Sequence, residues 1–269
     1  MNKKYSNNVR IENDLVIKKK NEKLIELYEY LDSVGFTNHP KIVEYDDNYI
    51  KSEFINKKKY YEISNGIELI ETVSLLHKST IIFKEVSKNK YRNIYDKISN
   101  NIEYLKKYYE NIITNIEDEI YMSPSHYLFA RNYSIIDSSL KYASKTLKKW
   151  FKMVENKEKE RVCIIHNNLS LDHFIKGDKN YLISFDNYLV DTPILDLYKF
   201  YKKDGYNLDF NLLLDKYESN FQLLEEEKLL LYILIAIPPK IEFINDEYLS
   251  CIELKNTFNY IYSGVKIVS

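Results

Sequence analysis

Short alternating apolar runs mark the first part of the chain as a small β-rich region built around one helix. Alternation over residues 14–18, 41–45 and 49–54 predicts strands, and the polar turn between the last two predicts a hairpin. Residues 21–34 carry apolar side chains three and four positions apart and are followed by Gly35, which predicts a helix that ends there.

Helical periodicity dominates the rest of the chain. Apolar residues three or four positions apart predict helices over residues 63–77, 91–109, 127–154, 212–221 and 225–237. Ser123 and Pro124 precede the third helix and are residue types favoured at an N-cap and in a first turn, whereas Pro238 ends the last. This larger part of the chain is therefore predicted to be mainly helical.

One segment, residues 162–198, departs from the helical pattern. Two apolar runs, residues 162–165 and 181–185, each end in polar residues, and a polar turn at residues 176–180 lies between them. These features predict a strand, a loop, a short hairpin and a second loop. The side chains of chemical interest lie in the two loops.

Charge, apolar run length and cysteine spacing limit the partners that the protein can have and indicate the compartment in which it works. The formal net charge of −1 argues against a nucleic-acid partner, because binding a phosphate backbone requires a cationic excess. The first residues lack an apolar signal region, and the longest apolar run, residues 229–237, is too short to cross a membrane. Cys163 and Cys251 are far apart and lack metal-ligand spacing, which favours a reducing compartment. We therefore expect a cytoplasmic protein without a membrane partner, and its many Asn, Ile, Lys and Tyr residues indicate an A+T-rich bacterial genome.

The two loops of residues 162–198 resemble the active-site segment of the aminoglycoside phosphotransferase and choline kinase superfamily, especially its spore-coat-associated kinase-like branch. That pattern runs H-G-D-x-x-x-x-N in the first loop and I-D-F-D in the second, followed by a structural Asp. The resemblance implies an α+β, two-lobed protein-kinase-like fold. Its small β-rich N-terminal lobe would cover residues 1–55, and its larger, mainly helical C-terminal lobe would cover residues 56–269.

Three of the four motif positions in the first loop depart from the family pattern. His166 matches the motif histidine, a position of the catalytic site, and Asn167 replaces the glycine. Asn168 stands in the slot of the catalytic Asp, and His173 stands in the slot of the metal-binding Asn. Asn168 can accept a hydrogen bond, but it has no group that takes a proton from an attacking hydroxyl.

The second loop keeps the acids of the family pattern that have structural roles and lacks the Asp that would bind the metal. Ser184 falls in the slot of the metal-binding Asp, while Asp186, Asp191, Pro193 and Asp196 keep their offsets from it. A serine hydroxyl is a poor substitute, because Mg²⁺ requires hard anionic oxygen ligands. A register slip of two residues would make Asp186 the metal ligand, but its spacing to Asp196 would then be ten and not twelve. In the unslipped register, which we prefer, Asp196 accepts hydrogen bonds from the backbone of the first loop.

The resemblance also implies a nucleotide-binding lysine in the N-terminal lobe. Lys18 ends a V-I-K strand and corresponds to the lysine that contacts nucleotide phosphates, with Glu29 or Glu26 of the following helix as its partner. A solvated lysine beside surface acids is the alternative. No glycine lies near the opening strands, where a phosphate-covering loop would need one, although family members outside the protein kinases often have a reduced loop.

Three functions are compatible with these residues. The first is a pseudokinase, a binding or scaffolding module for a protein or small-molecule partner with little or no phosphotransfer. The second is an active phosphotransferase on a hydroxyl or amine substrate, in which Asp186 binds the metal and Asp172 or His173 takes the proton. The third is a zinc or iron site made from His166, Asp172, His173 and Asp186. We rank them in that order. The resemblance implies ATP as the cofactor, and the lost acids argue against magnesium.

Overall fold

The computed structural model of the protein, which describes residues 9–56 and 62–268, begins with a small antiparallel sheet. Its strands are β1 (Val9–Glu12), β2 (Leu15–Lys19), β3 (Ile42–Tyr45) and β4 (Tyr49–Glu53), in the order β1-β2-β4-β3. Asn13 and Asp14 have φ values of 50° and 59° and form the turn between β1 and β2. Asn and Asp tolerate this left-handed conformation better than other non-glycine residues. The predicted strands are confirmed, and β1 is an additional strand that its short pattern did not reveal.

The predicted helix of this region is also confirmed. It is α1 (Glu22–Ser33), and its buried face includes Leu24, Leu27 and Tyr28 at the spacing of the apolar pattern. Gly35 follows the helix with a φ of 79°, a conformation that glycine adopts without a steric penalty.

Seven further helices make up most of the remaining chain that the structure describes. They are α2 (Glu62–Ser79), α3 (Lys90–Glu117), α4 (Pro124–Val154), α5 (Ile194–Lys203), α6 (Phe210–Asn220), α7 (Glu225–Ala236) and α8 (Glu247–Val268). The Ser123 side chain caps α4 by accepting a hydrogen bond from the His126 N–H, as the sequence predicts. None of the helices within the described residues is long and apolar enough to cross a membrane.

The segment between α4 and α5 has the predicted succession of strand, loop, hairpin and loop. Its strands are β6 (Lys159–Ile165), β7 (Phe174–Lys176), β8 (Asn180–Leu182) and β9 (Leu189–Asp191), and β5 (Ile82–Glu85) precedes α3. β7 and β8 form the hairpin, while β6 lies between β5 and β9. Each loop contains one turn of 3₁₀ helix, Leu171–His173 in the first and Phe185–Asn187 in the second.

The chain forms two compact units. Among the described residues, the first contains residues 9–56, 62–82, 162–200 and 212–222, and the second contains residues 83–161, 201–211 and 223–268. All site residues predicted from the sequence belong to the first unit. In the second, α4 packs against α3, α7 and α8. A lobe boundary after residue 55 adjoins residues 57–61, which lie outside the described part of the chain, and it stays a prediction.

Candidate functional site

A buried aspartate holds the first loop in place. Asp196, near the start of α5, is fully buried and accepts hydrogen bonds from the backbone N–H groups of His166 and Asn167, both at 2.7 Å. The Nε2–H of His77 donates to the same carboxylate at 3.2 Å. These contacts fix the backbone where the loop leaves β6, the structural task that the sequence predicts for Asp196.

Opposing influences act on the ionisation of Asp196. Burial raises its pKa, but the hydrogen bond from His77, the electrostatic interactions with the His77 and His166 rings, and the backbone N–H of His166 lower it further than burial raises it. The net effect holds the pKa of Asp196 below its ordinary value, so the carboxylate stays ionised inside the unit. A buried charge is tolerated only with such partners.

His166 connects the first loop to the strand residue that precedes the second. Its ring has no solvent exposure, and its Nε2–H donates to the Ile183 carbonyl at 2.7 Å. The ring also packs on Phe185, with centroids 4.8 Å apart. Burial lowers the pKa of His166, which favours the neutral imidazole. The structure therefore places His166 as a buried link between the loops.

Asn167 occupies a glycine-like backbone position. Its φ is 63°, and the family motif has glycine at this point. The Nδ2–H of Asn167 donates to the Asn187 carbonyl at 2.7 Å, which ties the first loop to the second. Lys199 donates to the Asn167 backbone carbonyl at 3.0 Å and to its side-chain oxygen. Sequence reasoning missed Lys199, although its position three residues after Asp196 in α5 puts both on one helix face.

Asn168 and His173 are joined through the backbone. The Nδ1–H of His173 donates to the Asn168 carbonyl at 2.7 Å across the 3₁₀ turn of the first loop. This bond assigns the proton to Nδ1 and leaves Nε2 as the acceptor in the neutral ring. A nitrogen acceptor suits zinc better than magnesium, which prefers oxygen. Asp172, beside it, is exposed.

Ser184 has a backbone conformation that is unusual for serine. Its φ and ψ are 65° and 48°, in the left-handed region, which costs a non-glycine residue roughly 1–2 kcal/mol. Asn and Asp accept this conformation more readily because their side chains can bond locally. The position assigned to a metal-binding Asp thus retains a backbone that suits Asp, although it carries a hydroxyl.

Replacing Ser184 by glycine should raise the free energy of unfolding by about 0.4–1 kcal/mol, because glycine enters the left-handed region without strain. Urea denaturation measures the change. Ser138→Gly, on the exposed face of α4, is the control and should have the opposite sign, because glycine weakens a helix interior. A loss of stability in Ser184→Gly would show that the serine side chain, and not the backbone conformation, determines stability here.

Lys18 pairs with Asp186 and not with the predicted Glu29 or Glu26. Lys18 Nζ lies 3.0 Å from Asp186 Oδ2, and the two side chains are 26% and 46% exposed. Glu26 and Glu29 lie on the exposed face of α1, whereas Tyr28 occupies its buried face. The helical period therefore directs the glutamates away from the lysine. Burial and the negative charge of Asp186 raise the pKa of Tyr28, which keeps its hydroxyl protonated.

An apolar cavity of about 440 Å³ lies within the first unit, under the N-terminal sheet. Most of its wall is aliphatic, contributed by the sheet, by α1 and by two residues of the 162–198 segment, Ile175 and Ile183. Lys18, Ser184 and Tyr28 also line it. The cavity thus brings the predicted phosphate-binding lysine and the metal slot to one place.

The residues at this site do not fit a magnesium ion. Ser184 offers a neutral hydroxyl, His173 offers a nitrogen, and the Asp186 carboxylate is paired with Lys18. Residues 9–56 and 62–268 contain no group of three or more His, Cys, Asp or Glu side chains placed to hold a metal. The zinc or iron set proposed from the sequence is therefore not assembled among these residues.

Solved structures similar to this chain include an aminoglycoside phosphotransferase and a spectinomycin phosphotransferase. The aminoglycoside phosphotransferase of Alicyclobacillus acidocaldarius matches 99% of this chain and 90% of its own, with a TM-score of 0.71 and 9% sequence identity. Spectinomycin phosphotransferase in its AMP-bound complex matches 96% of this chain and 90% of its own, with a TM-score of 0.53 and 15% identity. Its complex with ADP and spectinomycin matches 99% and 92%, with a TM-score of 0.50 and 12% identity.

No model of a protein family matches the chain, and no curated protein matches it significantly. The likeness to the solved structures is therefore one of fold. The protein has the kinase-like phosphotransferase fold that the sequence implies, with a small antiparallel sheet in its N-terminal part and a mainly helical remainder.

Proposed function

We propose that the protein is a pseudokinase with an aminoglycoside phosphotransferase-like fold, which binds or scaffolds a protein or small-molecule partner and transfers little or no phosphate. The observation that carries the proposal is Ser184. It has a left-handed backbone and lines the cavity, which supports its assignment to the slot of a metal-binding Asp, but it has no carboxylate.

The chemistry of phosphoryl transfer makes this loss severe. The reaction depends on positioning and on metal ions that neutralise the charge developing on the phosphates. Asn168 cannot take the proton of an attacking hydroxyl, and His173 is held by the Asn168 carbonyl. Losses at the proton acceptor and at both metal ligands should together remove nearly all activity.

The aliphatic cavity supports nucleotide binding without catalysis. Its volume of about 440 Å³ falls within the range of roughly 300–1,000 Å³ that is usual for small-molecule sites. Spectinomycin phosphotransferase, which shares the fold, has been solved with AMP and with ADP. We infer that an adenine nucleotide such as ATP can place its ring in this cavity and that magnesium does not contribute to its binding.

An active phosphotransferase is the second candidate, favoured by the position of Asp186. Its carboxylate is 46% exposed and only two residues beyond Ser184, so a metal that displaced Lys18 could reach it. Asp172 or the Nε2 of His173 would then accept the proton. We rank this function second because Lys18 already neutralises the carboxylate that the metal would need.

The location follows from composition and from the motif pattern. We place the protein in the cytoplasm of an A+T-rich bacterium, and we assign it to the spore-coat-associated branch on the pattern of residues 166–196. Absence of the protein from purified spores of its source would count against that branch.

Nucleotide-dependent thermal stability and turnover separate the two candidates. A ligand raises Tm to the extent that it binds the native state. A pseudokinase that binds ATP without metal should therefore show the same shift in Tm with ATP in the presence and absence of Mg²⁺, and it should release no ADP. Mg²⁺ alone is the control for non-specific metal effects. An ATP shift that requires Mg²⁺, together with ADP release, would establish the active enzyme.

A further inference from the structure

A second, more open cavity of about 860 Å³ adjoins the aliphatic cavity in the first unit. The two cavities share three lining residues, Val9, Lys18 and Ser184, so a ligand that fills the aliphatic cavity can extend into the open one. Most of the remaining wall comes from residues 19–23, which join β2 to the first turn of α1. The open cavity therefore lies where the tail of a bound ligand would emerge.

Positive charge dominates the lining of this open space, here named the lysine cavity. The described residues that line it include two acids and four lysines, Lys18, Lys19, Lys20 and Lys23. Asp186 pairs with Lys18 at 3.0 Å, whereas Lys19 and Lys23 are exposed and form no ion pair within residues 9–56 and 62–268. The lining thus keeps an excess of two positive charges, which attracts an anion.

The second acid, Glu22, offsets little of this charge. Its carboxylate lies 3.9 Å from Lys20 Nζ, and its side chain is 79% exposed, so water and salt screen the pair. The Lys20 side chain is partly buried, and its ammonium lies 5.7 Å from the centre of the Tyr45 ring. These contacts hold Lys20 near the cavity and leave its charge available to a ligand.

The start of α1 adds backbone donors to the lysine cavity. Asn21 is the N-cap residue and lines the cavity, but its side chain accepts no hydrogen bond from the first turn of the helix. The backbone N–H groups of Glu22 and Lys23 have no acceptor in the part of the chain that the structure describes. Such donors, with the partial positive charge of a helix start, favour an anion and add to the attraction of the lysines.

We infer that the lysine cavity holds the triphosphate of an adenine nucleotide without a metal ion, and that Lys20 and Lys23 supply the positive charge that kinases obtain from magnesium. The ring occupies the aliphatic cavity, whose walls favour a flat apolar group. Each added phosphate brings negative charge to an excess of positive charge, so the affinity increases with the number of phosphates. The inference rests on the proposed function and names the residues that bind its ligand.

Calorimetric titration in buffer with EDTA tests the inference. ATP should bind at least about tenfold more tightly than AMP, and AMP more tightly than adenosine. Lys20→Met combined with Lys23→Met should weaken ATP binding about tenfold and leave adenosine binding unchanged, which also shows that the variant is folded. Inorganic tripolyphosphate should bind more weakly than ATP, because it leaves the aliphatic cavity empty.

Lys78→Met combined with Lys216→Met is the matched control. It changes the net charge equally, and both lysines belong to helices of the same unit, α2 and α6, and line neither cavity. An equal loss of ATP affinity in the two double variants would overturn the inference, as would tripolyphosphate binding as tight as that of ATP. Metal-free ATP binding no tighter than that of adenosine, without ADP release, would overturn it and leave the pseudokinase standing. Mg²⁺-dependent ATP binding with ADP release would refute both.

Discussion

Replacing Asp196 by alanine should lower the free energy of unfolding by about 3–5 kcal/mol, the range for removing one partner of a buried charge network. The carboxylate is fully buried and accepts two backbone N–H groups and the Nε2–H of His77. Alanine would leave these three donors without an acceptor in a site closed to water. Urea denaturation measures the loss.

Asp191→Ala is the control for Asp196→Ala. Asp191 lies five residues earlier, is partly exposed and accepts one hydrogen bond from the Thr192 N–H. Its replacement should cost about 1 kcal/mol, the net value of a single hydrogen bond. Equal losses for the two variants would mean that Asp196 does not organise the loop.

The contribution of Asp196 to stability should depend on pH with a definite sign. Its folded-state pKa lies below the ordinary value of 3.8, so the unfolded chain binds the proton more readily. The stabilisation is therefore fully present above pH 3.8 and disappears as the pH falls through the lower folded-state value. The difference in stability between the wild type and Asp196→Ala should shrink over the same acidic range.

The loops around Asp196 were predictable because their positions are set by short-range rules. Apolar runs that end in polar residues located the strands and the turns between them, and the family spacing located Asn167 and Ser184. Both residues have positive φ values, as expected where a motif has a glycine or an acid that tolerates this conformation. Local sequence thus determined the backbone of the site.

Side-chain pairing in the site was not predictable in the same way. Lys18 and Asp186 are far apart in sequence, and many acids could have paired with the lysine. The face of α1 decides against its glutamates, because Tyr28 takes the buried position and Glu29 is exposed. Which residues of α1 face inward depends on how the helix packs on the sheet. The apolar periodicity of α1 predicts its buried face only to within one residue.

Restoring two metal ligands should make nucleotide binding depend on magnesium. In the double variant Ser184→Asp and His173→Asn, Mg²⁺ should tighten ATP binding ten- to hundredfold, about 1.4–2.7 kcal/mol, because a carboxylate and an amide oxygen replace a hydroxyl and an imidazole. The left-handed backbone at position 184 accepts Asp, so the fold should tolerate the change. Calorimetric titration with ATP, with and without Mg²⁺, measures the effect.

The matched control carries Ser184→Asn with His173→Asn, which reproduces the size and backbone preference of Asp without its charge. Mg²⁺ should leave its ATP affinity unchanged, because the ion requires an anionic oxygen at this position. If both variants respond equally to Mg²⁺, the metal is held elsewhere, by Asp186 in the first instance. If neither responds, Ser184 does not occupy the metal slot, and the alignment of the second loop is shifted.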